Sequence, residues 1–259
     1  MLLIDKLSYQ SKLRYVNASE KLMYAVLTLV LCILSRSVRV AVLVFAVNGI
    51  LTVGKGGIPL FRYIKLLMIP FAFLIVGTAA IMVNISETPL DAFAITIGKW
   101  YITGSRAGVY QGLRLCSTAF AAVSCLYFLS LNTVMTDILG TCRKLHLPPL
   151  LIELMLLIYR FIFVLSKTAH AITVSQQSRL GNRNFRTQIR AFGALGSALF
   201  VLALKRSNAL YDAMESRCYD GSIRVLSREQ PASKKEIAGI IMFEVILILI
   251  WFCNWPVCG

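Results

Sequence analysis

Two triplets, Ser178-Arg179-Leu180 and Ser216-Arg217-Cys218, each place an arginine at the polar end of a long apolar-faced stretch. A guanidinium so placed can make paired, planar hydrogen bonds to carboxylates that lysine cannot reproduce. A single triplet reads as a solvated helix terminus favoured by the macrodipole. Two in matching settings point to two contacts of one kind. Two further charges, Arg114 and Glu244, fall inside apolar runs, where ionisable groups are costly and suggest function. Counted from the outer ends of their segments they lie about eight and eleven residues deep, an offset near 5 Å at ~1.5 Å per residue. That offset suits either an ion pair locking two spans together or one polar step in a transport path.

Other chemistry finds no support. His146 and His170 are too far apart for a zinc pair on one helix and have no clustered carboxylate. There is no Gly-rich phosphate loop ending in Lys-Ser/Thr, no Gly-x-Ser-x-Gly elbow and no acid pair within a span. The seven cysteines are scattered, and only Cys253 and Cys258 lie close enough in sequence to suggest pairing in an oxidising space. Neither an enzyme nor a resident metal or organic cofactor is expected.

The elements that carry the two triplets are long. The first opens at Pro148-Pro149 and closes at Ser178-Arg179-Leu180-Gly181, with proline at the start and glycine past the end. The second sets Phe185, Ile189, Phe192, Leu195, Leu199, Leu202, Leu210 and Met214 mostly three or four apart, and Gly221 follows its triplet. Glu153 and Arg160 break the first, seven apart and so on one face.

Apolar residues make up 58% of the 259-residue chain and charged residues 15%, which describes an integral membrane protein. The formal charge of +15 alternates with hydrocarbon-spanning segments, so retention of positive loops on the cytoplasmic side explains it without nucleic acid. Met1–Lys21 is polar and lacks a small-residue cleavage site, so no secretory leader is expected. Asn17 and Glu20 form a capping-box-like start for the first span.

Apolar runs at 22–34, 40–53, 66–85, 107–131 and 237–255 give five expected spans, with Pro70 in the first turn of the third. A loop at 86–106 carries Trp100 and Tyr101, suited to an interface. Gly104, Gly108 and Gly112 form a small-residue ridge for close helix packing. Residues 132–236 hold fifteen Lys and Arg against seven Asp and Glu. Putting that block and the N-terminus inside the cell satisfies the charge rule except at Arg36 and Arg39.

The expected fold is therefore all-α: about five transmembrane helices plus a cytoplasmic pair of long helices along the inner membrane face. The expected regions are 1–131, N-terminal spans; 132–236, the cytoplasmic region that holds the two long helices; and 237–259, a last span.

The pieces RFIFVL, QQSRLG and LYDAMESRCYDG resemble the transmembrane (T) component of energy-coupling-factor transporters, the cobalt-uptake type CbiQ above all. Asn17-Ala18-Ser19-Glu20-Lys21-Leu22 is similar to a polar turn found there. The resemblance implies that the triplets centred on Arg179 and Arg217 are the family's coupling motifs, although Leu180 and Cys218 stand where a small residue is usual. It also implies partners: two ATP-binding-cassette ATPase subunits and a substrate-binding membrane (S) subunit, in the inner-membrane bilayer, with cobalt, nickel or a vitamin as cargo. A self-sufficient carrier or channel, using Arg114, Glu244, Glu153 and Arg160 as its polar path, is the alternative.

Overall fold

A computed structural model describes residues 3–82, 84–86, 93–97, 100–104, 106–181, 183–221, 223 and 233–254. The helices are α1 (Leu3–Gln10), α2 (Ala18–Ser35), α3 (Val38–Ile50), α4 (Leu60–Met82), α5 (Arg106–Asn132), α6 (Met135–Lys144), α7 (Pro149–Ser178), α8 (Phe185–Glu215) and α9 (Lys234–Asn254). Six helices among the described residues are long and apolar enough to cross a membrane: α2, α3 with its extension, α4, α5, α7 and α8. The protein is an all-α membrane protein with one small addition. Strands β1 (Asn84–Ser86), β2 (Phe93–Ile97) and β3 (Trp100–Gly104) form an antiparallel sheet in the order β1-β3-β2. Ile95 pairs with Ile102 in its register. It occupies the stretch expected as a loop, where β-branched runs are separated by Gly98-Lys99, a two-residue spacing that suits a hairpin. The side chains of Trp100, Tyr101 and Cys253, the packing of Gly104, and all of Cys258 lie outside what is described.

The chain folds as two compact units, one of residues 2–138 with 228–259 and one of residues 139–227. In the first, α5 is the central post against which α1, α2, α3 and α4 pack, and α9 packs on α2. Small side chains permit the close approach: Ala41, Ala121, Cys32 and Cys125 share one buried cluster with Val40, Val44 and Leu247. Gly112 lies against Met82, where a Cβ would come within 2.8 Å of Cγ.

Hydrocarbon offers buried polar groups no water, so they must satisfy one another. Tyr24 Oη donates to Asn48 Oδ1 at 2.8 Å, and Asn48 Nδ2 donates to Ser124 Oγ at 3.2 Å, linking α2, α3 and α5. At the end of α5, Asn132 Oδ1 accepts from Ser11 Oγ at 2.7 Å, and its backbone carbonyl accepts from Lys21 Nζ at 2.9 Å. Gly56 abuts the same amide, and a Cβ there would fall 2.5 Å from Asn132 Oδ1.

Three sequence expectations change in detail. The second span extends beyond the apolar run 40–53: after α3 the chain continues as a π-helical turn, Leu51–Lys55, and reaches eighteen residues from Val38 to Lys55. The third begins at Leu60, so Pro70 lies inside α4 rather than in its first turn. Interior proline leaves the carbonyl four residues back without its helical donor. That carbonyl belongs to Leu66, and Tyr127 Oη of α5 donates to it at 3.2 Å. Finally, Asn17 Oδ1 caps α2 through the Ser19 amide at 2.9 Å, but Glu20 turns elsewhere. Its Oε1 accepts from the Ser233 amide, just before α9, at 3.0 Å.

Candidate functional site

Both long helices of the 139–227 unit end in the same way. Pro149 occupies the first position of α7, where its missing N–H costs nothing. At the other end the Arg179 amide donates to the Gln176 carbonyl at 3.2 Å, and Leu180 takes a left-handed conformation with φ 58°. The Gly181 amide then returns to the same Gln176 carbonyl at 2.8 Å. A side chain at 181 would put Cβ 2.8 Å from that oxygen, so glycine is required by close approach.

The end of α8 repeats these backbone hydrogen bonds, with Tyr219 standing where α7 has Gly181. The Arg217 amide donates to Met214 O at 3.0 Å, Cys218 is left-handed with φ 57°, and the Tyr219 amide returns to Met214 O at 3.1 Å. Each is a Schellman-type close, which satisfies carbonyls that a helix end leaves open. The serines also turn inward alike: Ser178 Oγ donates to Val174 O at 3.0 Å and Ser216 Oγ to Ala213 O at 3.1 Å. All six residues, Ser178, Arg179, Leu180, Ser216, Arg217 and Cys218, are exposed. Neither arginine side chain has a hydrogen bond or ion pair among the described residues.

α7 and α8 pack on one another, and Gln176 Nε2 donates to Ala191 O at 2.9 Å. The half-buried line on α8 runs through Ala191, Leu195, Leu199, Leu202, Leu210 and Met214. Phe185, Ile189 and Phe192 were expected on that line but are exposed, so it starts only where Gln176 meets the helix. Between Glu153 and Asp212 the chain carries no acid at all.

Glu153 and Arg160 do not form a polar seam. Glu153 is buried, whereas Arg160 is exposed, because two donors beyond α8 claim the carboxylate. Tyr219 Oη donates to Oε2 at 2.6 Å and the Ile223 amide to Oε1 at 3.0 Å. That bond to a carboxylate raises the Tyr219 hydroxyl above the ordinary phenol range and keeps it a donor. Nothing in the spacing of Glu153 and Tyr219 signals this contact, which depends on where α8 ends.

Arg114 and Glu244 each have a partner of their own. Arg114 Nε donates to the Arg36 carbonyl at the close of α2, and Glu244 Oε1 accepts from Thr28 Oγ1 at 2.8 Å. Arg36 caps α2 eight residues beyond Thr28, so the two partners lie toward different parts of that helix. Glu244 Oε2 has no hydrogen bond, so Thr28 is its one hydrogen-bond donor among the described residues. Thr28→Val is therefore expected to lower the melting temperature in detergent, and Thr28→Val with Glu244→Leu to regain part of the loss. Removing one partner strands a polar group, while removing both does not. Additive losses would refute the pairing.

The architecture defines the class: a multi-pass helical membrane protein that exposes two like-built arginine ends. The chain belongs to the CbiQ family, whose model, described as cobalt transport protein, matches residues 10–228. It is 30% identical to the cobalt transport protein CbiQ of Rhodobacter capsulatus over 92% of this chain and 93% of that one. An uncharacterised protein of Methanocaldococcus jannaschii is 32% identical over 96% and 92% of the two chains. The energy-coupling factor transporter transmembrane protein EcfT of Staphylococcus aureus is 27% identical over 86% and 85%. The resemblance to T components of the CbiQ type, carried by the arginine triplets, thus extends over nearly the whole chain.

Proposed function

We propose that this chain couples ATP-driven movement of two ATP-binding-cassette ATPase subunits to a substrate-binding membrane subunit, in an importer of cobalt or nickel ions. The observation that carries the reading is the repeated helix end, which presents Arg179 and Arg217 exposed, without a partner among the described residues and in the same backbone setting. Each arginine would enter a carboxylate-bearing groove on one ATPase. Closure of the ATPases on nucleotide would then move α7 and α8 and reorient the substrate subunit. The names borne by the relatives, cobalt transport protein and energy-coupling factor transporter, support both the assembly and the cargo. The test is copurification: affinity capture of this chain from cells expressing the neighbouring genes should bring down ATPases. Transport by the lone purified chain in liposomes, with no ATPase bound, would overturn the reading.

The excess of Lys and Arg over 132–236 supports a cytoplasmic placement for α7, α8 and the N-terminus in the inner membrane. α7 and α8 would lie along the inner face and bury their apolar sides there and on each other. A cysteine at position 183 should resist an impermeant thiol reagent in intact cells and react once the cells are opened. Equal labelling in both states would place the α7–α8 turn outside.

A further inference from the structure

The bonds around Glu153 reach beyond local packing. Glu153 stands near the start of α7, and both its oxygens are held by the segment that follows α8. Arg143 Nη2 fastens the same segment by donating to the Ile223 carbonyl at 2.9 Å. Tyr219 is the pivot: its amide closes the Arg217 turn, and its hydroxyl binds α7. Arg179 stands at the far end of α7, about 39 Å along the helix from Glu153 at ~1.5 Å per residue.

We infer that Glu153 and Tyr219 are positioning residues that fasten the Arg217 turn to α7, so that Arg217 and Arg179 are presented at one fixed spacing. The inference rests on the reading of those arginines as the ATPase contacts. Helix ends are where chains open first, and an exposed terminal turn such as 216–218 would otherwise fray. Two contacts reinforce each other only when their separation matches the partner's, and pre-setting that separation removes an ordering cost from binding. The clasp therefore acts on the pair of contacts and leaves each single contact chemically intact.

That distinction sets the experiment. Tyr219→Phe removes one hydroxyl and keeps the ring. Glu153→Leu should act likewise, because it leaves the hydroxyl no acceptor, whereas Glu153→Gln keeps an amide that can meet the phenol and should have the smaller effect. In the purified chain, Tyr219→Phe should speed deuterium uptake over 216–223 about tenfold and leave the middle of α7 and α8 unchanged. On the immobilised full complex it should speed ATPase dissociation about five- to tenfold. In an Arg179→Ala background, where one contact is already gone, it should add less than twofold. Unchanged uptake would overturn the clasp whatever the ATPases do. Equal effects in both backgrounds would reduce Glu153 and Tyr219 to residues that merely stabilise the fold. Faster uptake with unchanged dissociation would overturn positioning if Arg217→Glu still releases the ATPases. If Arg217→Glu releases nothing either, it is the coupling reading that fails.

Discussion

Glutamate at Arg179 or Arg217 is expected to leave the membrane protein folded and to weaken its hold on the ATPases at least about a hundredfold. Both side chains are exposed and free of partners within the described residues, so the substitution disturbs no internal bond. At a desolvated contact it removes a charge-assisted hydrogen bond and adds like-charge repulsion, together worth several kcal/mol, and ~2.8 kcal/mol is already a factor of 100. Lysine should be intermediate, about tenfold weaker than arginine, because it keeps the charge and loses the planar fork. Arg183 and Arg186 provide the control: both are exposed, both are close in sequence to Arg179, and neither lies in a left-handed turn. The readouts are copurification of the ATPases and substrate-dependent ATP hydrolysis. If reversal at 183 and 186 does equal damage, the basic region acts as a diffuse charged surface.

The second large effect is expected at Lys21, far from the arginines. The residue is only 4% exposed, and its ammonium donates to two backbone carbonyls, Leu13 O at 3.0 Å and Asn132 O at 2.9 Å. The second is the last residue of α5, where a cation also favours the negative end of the helix. Lys21→Met fills much the same volume but strands the Asn132 carbonyl, at about 1–3 kcal/mol against a total stability of roughly 5–15 kcal/mol, and leaves Leu13 O with the Val16 amide alone. A drop of about 5 °C in melting temperature and a loss of monodisperse yield should follow. Lys12→Met, at an exposed lysine nearby, should change little. Equal effects at the two positions would show that Lys21 acts through general charge rather than through those two bonds.

What the sequence made legible was local. Proline at 149 and glycine at 181 bracket α7, and apolar period marks one side of α8 from Leu195 onward. The triplets announce helix ends because serine, arginine and a following break are properties of neighbours in the chain. Illegible features depend on distant partners. Lys21 looks like one more interfacial lysine until Leu13 and Asn132 fold around it. Glu20 fits a capping box by spacing, yet its carboxylate is claimed by Ser233. Pro70 seemed to need a helix start, because sequence alone could not supply the hydroxyl of Tyr127 to the freed carbonyl. Arg114 and Glu244 have depths that can be counted along the chain, whereas the bonds they make, to the Arg36 carbonyl and from Thr28 Oγ1, depend on how the helices pack. Glu153 and Tyr219 meet only because α8 ends where it does.

The left-handed residues at 180 and 218 make the two turns selective in an unusual sense. Exposed positions ordinarily accept nearly any side chain, and both sites are open to solvent. Here the filter is backbone handedness, which costs a residue bearing a Cβ roughly 1–2 kcal/mol and a β-branched one more. In a saturation library scored for transport, glycine and asparagine should be enriched at both positions, and valine, isoleucine and threonine depleted. The two tolerance profiles should match each other more closely than either matches Arg183 or Arg186. Leu180 and Cys218 would then be occupants that the turns endure rather than ones they prefer.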